Sequence, residues 1–87
     1  MNIIFKVKQT FSLTVRNVFV IAGTISSGEI RPGMLIREPS FDLAIDSIEL
    51  VNNDNEDELI ALLFSQKDEA KIGLLKNVKE NDLLYIS

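Results

Sequence analysis

The sequence predicts an all-β protein, a small closed antiparallel β-barrel of about six strands with one short helix near the C-terminus. Three observations carry this expectation. Short runs rich in β-branched and aromatic residues recur along the chain at near-regular spacing. Gly, Asn and Pro fall between those runs, where tight connections need them. No repeat, low-complexity segment or linker divides the 87 residues, so residues 1–87 read as a single domain. An all-β chain this short tolerates exposed strand edges badly, and closure removes them.

Residues 3–13 form the first expected strand, with Phe5, Val7, Phe11 and Leu13 on the inward parity and Lys6, Lys8, Thr10 and Ser12 on the other. Gln9 is the polar exception on the inward parity and marks a bulge or a barrel mouth. After a turn at Thr14–Asn17, the run Val18–Ser26 is β-branched enough to continue as a strand. Ser27–Gly33 connects it to a third strand from Met34 to Arg37. Within that connection Gly28 and Gly33 suit positive φ, and Pro32 pre-sets φ for a turn. Pro39 breaks the chain before a fourth strand over Asp42–Val51. In that strand Leu43 and Ile45 share one parity and Ile48 and Leu50 the other, so a bulge is expected near Asp46–Ser47. The acidic stretch Asn52–Asp57 reads as a hydrated hairpin loop, and Glu58–Phe64 as a fifth strand apolar on both parities. Ser65 and Asp68 have capping-box spacing, which predicts a short helix over Gln66–Lys76 stopped by Asn77 as a left-handed cap, although Ile72–Leu75 also suits a strand. A turn at Lys79–Asp82 leads into the last strand, Leu83–Ile86.

Composition excludes most chemistry. The chain has no His and no Cys, so the usual general base, thiol nucleophile and thiolate metal ligand are missing. None of its serines has a His to activate it. The P-loop and dinucleotide glycine signatures do not occur. Asp42, Asp46 and Glu49 read as a solvated strand face, and the Asp54–Glu58 cluster lacks the frame of a calcium loop. The chain is therefore expected not to be an enzyme and to bind no metal, cofactor or nucleotide. No apolar run approaches the length of a membrane span and Met1–Phe5 does not read as a secretory signal, so a cytoplasmic protein is expected.

The charge is lopsided. Residues 1–37 carry five basic groups against one acid, and residues 38–87 carry four against twelve, for a net charge of −4. The acidic total argues against strong non-specific nucleic-acid binding. The two halves can pair with each other across the fold, or the basic half can form a local patch.

Phe11–Ile86 resembles the second, β-barrel domain of the translational GTPases such as elongation factor Tu. Val18-Phe19-Val20-Ile21-Ala22-Gly23 fits that family's strand into its T-G position, and Ser26-Ser27-Gly28 its E-x-G turn. Arg31-Pro32-Gly33-Met34-Leu35-Ile36 fits the next strand opening, Asp46-Ser47-Ile48-Glu49 the V-x-S-I-E strand, Ile60–Phe64 the L-L strand and Glu80–Leu84 the closing G-D-V-L. The resemblance implies the barrel fold and contacts with transfer RNA or the ribosome. Arg16 stands in the family's Gly-Arg-Gly turn, whose glycines are Val15 and Asn17 here.

Two candidate surfaces follow. Only one face of Glu58–Phe64 can point into a barrel. The other must be covered by the helix, through Ala70, Leu74 and Leu75, or by another chain, which makes Ile60, Leu62 and Phe64 candidates for binding a protein partner or a second copy. Lys6, Lys8, Arg16, Arg31 and Arg37 are the candidates for RNA.

Overall fold

A computed structural model of the protein describes residues 3–13, 15–38, 41–52, 58–65, 72–73 and 75–87. It is all-β. The strands are β1 (Ile3–Leu13), β2 (Val18–Ile25), β3 (Leu35–Glu38), β4 (Phe41–Ala44), β5 (Ser47–Asn52), β6 (Glu58–Ser65) and β7 (Leu83–Ile86). They form one antiparallel sheet in the order β4-β3-β7-β1-β2-β6-β5.

The expected fourth strand is two. β4 ends at Ala44 and β5 starts at Ser47, which is where the parity of the sequence changes. At this break the chain changes partners within one peptide unit. The Ile45 N–H donates to the Met34 carbonyl (2.9 Å) and the Ile45 carbonyl accepts from Gly33, while the Asp46 N–H donates to the Leu63 carbonyl of β6 (3.0 Å). Met34 leads into β3 and Leu63 lies in β6, near opposite ends of the sheet order. Flat, those strands would lie about 19 Å apart. The sheet is therefore curled, with its edge strands β4 and β5 joined in sequence through Ile45–Asp46. Among the described residues no ladder joins β4 to β5, so the sheet is not closed into the expected barrel.

The expected turns at Arg31–Met34 and Lys79–Asp82 form. In Arg31–Met34 the Met34 N–H returns to the Arg31 carbonyl (3.2 Å), with Pro32 second and Gly33 third at φ 93°, the combination a type II turn requires. The turn Lys79–Asp82 closes in the same way (3.0 Å), with Asn81 at φ 75°, and the Asp82 carboxylate accepts from the Lys79 amide (2.8 Å). Asn77 is not left-handed. There the Val78 N–H turns back to the Leu75 carbonyl (3.0 Å). Of the helix expected over Gln66–Lys76, residues 66–71 and 74 lie outside the described residues. The described part holds one helical bond, from the Lys76 N–H to the Ile72 carbonyl (3.0 Å). The acidic loop at 53–57 also lies outside them.

β1 carries a bulge between Val7 and Gln9, across which its pairing with β2 steps from Gly23 to Ala22. One extra residue reverses the parity of everything after it. Phe5 and Val7 are buried as expected, but Phe11 and Leu13 fall opposite Val20 and Val18 on the outer face. The main core collects Ile3, Phe5, Val7, Phe19, Ile21, Ile36, Ile45, Leu62, Phe64, Leu84 and Ile86 from the inner face of the curl. Ile72 and Leu75 join that core, so Leu75 packs inside instead of covering the outer side of β6. A second cluster of Val20, Ala61 and Leu63, with Leu13 and Val18 against it, lies on the opposite side of β2 and β6.

Candidate binding surface

The geometry reassigns the apolar candidates. Leu62 and Phe64 are 0% and 1% exposed in the main core, and Ile60 packs against it. Leu62 and Phe64 are core residues and offer no surface to a partner, whereas Ile60 is half-buried. Register explains why: Ile21↔Leu62 and Phe19↔Phe64 place them beside the inward side chains of β2. The alternate residues Leu59, Ala61 and Leu63 are buried as well, so β6 is covered on both faces.

The basic candidates are all exposed, yet they do not form one patch. Arg16 sits in the β1–β2 turn, beyond Leu13. Arg31 lies in the β2–β3 connection, which passes beside Ile3 at Gly28. The length of β1 puts roughly 30 Å between those two ends. Each of the three arginines is matched by a carboxylate: Arg16 with Glu49 (3.5 Å), Arg31 with Glu29 (3.2 Å) and Arg37 with Asp42 (2.9 Å). The Arg16 and Arg37 pairs join the basic and acidic halves of the sequence. Arg37 also donates from Nε to the Ser87 hydroxyl (2.9 Å). Among the described residues Lys6 and Lys8 have no ion-pair partner.

Asp42 and Glu49 are exposed as expected. The exposed Asp46 carboxylate accepts the Ser65 amide and so ties the β4–β5 break to the end of β6. Among the described residues no cluster of His, Cys, Asp or Glu is arranged to hold a metal ion. Nor, among them, is any helix long and apolar enough to cross a membrane.

A different surface emerges on the outer side of β3, β7 and β1. In the pairing register Asp42 lies opposite Arg37, Arg37 opposite Tyr85, and Tyr85 opposite Ile4. One row along, Leu83 lies opposite Lys6, and Lys6 opposite Thr24 of β2. Cross-strand partners project from the same face. Ile4, Leu83 and Tyr85 thus form a contiguous apolar group, 47%, 51% and 45% exposed, bordered by Lys6 and Arg37. Lys8 is exposed two residues further along β1. The other large exposed apolar residues are separate: Val15 at a turn, Leu50 on β5, and Phe11 beside the second cluster.

The sequence carries a signal for this surface that parity counting passes over. Ile3-Ile4 and Leu83-Leu84 are adjacent apolar pairs inside strands, and successive strand residues face opposite ways. One of each pair must therefore face out. Comparison of the chain with protein-family models, with curated proteins and with solved structures yields no match.

Proposed function

We propose that this chain is a non-catalytic binding module of the cytoplasm, a small β-barrel of the elongation factor Tu second-domain type. In this reading it holds a protein partner, or a second copy of itself, on the outer face of β1, β7 and β3. The observation that carries it is the register of Ile4 with Tyr85 and of Lys6 with Leu83, which gathers three half-exposed apolar side chains beside the ammonium of Lys6. Water-facing apolar groups on adjacent strands cost solvation that a partner removes. The curl that joins the edge strands through Ile45–Asp46 supports a barrel open at that seam, and the absence of His and Cys supports a role without catalysis.

Immobilised wild-type chain and a Leu83→Ser/Tyr85→Ser variant, each exposed to native lysate, test this reading. A protein retained by the first and lost by the second is the expected result. Identical retention profiles would remove the surface from consideration.

A second reading, binding of RNA or of the ribosome, is favoured by one detail: Tyr85 presents an exposed ring directly opposite Arg37, with Lys6 and Lys8 on the neighbouring strand. It predicts RNA affinity that falls steeply with salt and weakens on Tyr85→Ser. No RNA binding at low ionic strength ends it.

A further inference from the structure

We propose that the partner taken by the β1–β7–β3 face is an acidic polypeptide segment with interspersed apolar side chains, an inference that rests on the protein-binding reading above. The chain as a whole is acidic, at −4, yet Lys6 on the border of this apolar group is an ammonium without an ion-pair partner among the described residues. Lys6 is opposite Leu83 and beside Ile4 on the same strand face, and Lys8 follows it. Among the described residues neither ammonium is neutralised by a carboxylate. Of the acids near this face, Asp42 is paired with Arg37, and the Asp82 carboxylate accepts from the Lys79 amide while keeping its charge. The unmatched ammonium of Lys6 beside Ile4 and Leu83, with that of Lys8 further along β1, suits carboxylates that alternate with apolar side chains. Such an arrangement favours encounter electrostatically while the apolar contacts supply most of the affinity.

Nucleic acid fits less well. Single-stranded binding sites use successive aromatic platforms, and this face has one ring and two aliphatic side chains. Of its cations Arg37 already holds a carboxylate, which leaves few groups to neutralise phosphates.

The test uses the full chain and fluorescence anisotropy with three labelled probes: a synthetic peptide alternating glutamate and leucine, one alternating lysine and leucine, and oligouridylate. The glutamate–leucine peptide is expected to bind best, to weaken with rising salt, and to lose about tenfold in affinity on Lys6→Glu. Leu83→Ser is expected to weaken it too. Lys6 and Leu83 are both exposed, so circular dichroism should show both variants folded. Tighter binding of oligouridylate overturns the proposal in favour of nucleic acid. Equal or tighter binding of the lysine–leucine peptide overturns its charge preference, as does failure of both peptides to bind. Concentration-dependent dimerisation lost on Leu83→Ser overturns it in favour of a second copy. The lysate comparison stands apart from all of these. A protein lost with the Leu83→Ser/Tyr85→Ser variant keeps the surface even where the acidic probe fails.

Discussion

Phe5 lays its ring over Gly23. A Cβ placed on Gly23 would sit 2.7 Å from the ring edge of Phe5 and 2.1 Å from the backbone carbonyl oxygen of Lys6. Gly23 lies opposite Val7, one step before the β1 bulge, so the ring of Phe5 fills the space that a side chain would otherwise hold. Gly23→Ala cannot be absorbed by moving a flexible side-chain end, because the closest atom is backbone. It is expected to destabilise by about 3 kcal/mol, at the upper end of overpacking costs. Urea unfolding reads this directly, and a midpoint equal to that of the wild type would contradict the packing described.

Leu62 and Phe64 are expected to behave as core residues in every assay. Leu62→Ala should cost about 2–5 kcal/mol and Phe64→Ala about 3–5 kcal/mol. For a domain of ordinary marginal stability either loss is a large share of the total. Thermal unfolding checks it. Variants that keep the wild-type midpoint but lose association would restore these residues to a surface.

Asp46→Pro is expected to open the junction between β4 and β5. Proline removes the N–H that donates to the Leu63 carbonyl and restricts Ile45 before it. A cost of roughly 2–3 kcal/mol follows from the lost bond, the unpaired acceptor and the loss of the carboxylate that accepts the Ser65 amide. Hydrogen exchange at the Ile45 amide should accelerate along with it. Unchanged exchange at that amide would mean the junction is not held there.

Arg37→Ala should scarcely change stability despite its contacts with Asp42 and Ser87. Both partners of the Arg37–Asp42 pair are about half exposed, with side chains 47% and 51% accessible, so solvent screens the attraction. A cost under about 1 kcal/mol is expected, smaller still at high salt. Denaturation at two ionic strengths measures it, and a large salt-independent loss would assign the pair a structural role.

Much of the fold was legible because it is written in local chemistry. β1 and β7 have the bounds expected from alternation, and the Pro32-Gly33 turn has the positive φ its residue types call for. The parity change in the fourth run marked the β4–β5 break, because two apolar parities cannot share one face without an irregularity. Gln9 marks the β1 bulge, and parity carried past that bulge turns Phe11 and Leu13 outward. The sign of β6 was not legible at all. A strand apolar on both parities has no preferred inner face until its neighbours are placed, and pairing with Phe19 and Ile21 decides it for Leu62 and Phe64. The Ile4–Leu83–Tyr85 surface depends on register between β1 and β7, segments far apart in sequence, which no local pattern specifies. Arg16 and Arg31 lie at opposite ends of β1 although both belong to the basic half of the chain.

Solvent paramagnetic relaxation of the side-chain methyl groups reports which apolar side chains meet water. Strong relaxation is expected for Ile4 and Leu83, and little for Ile21, Leu62 and Leu63. Strong relaxation at Leu62 with protection of Ile4 and Leu83 would place the open apolar surface on β6 and contradict the surface on β1, β7 and β3.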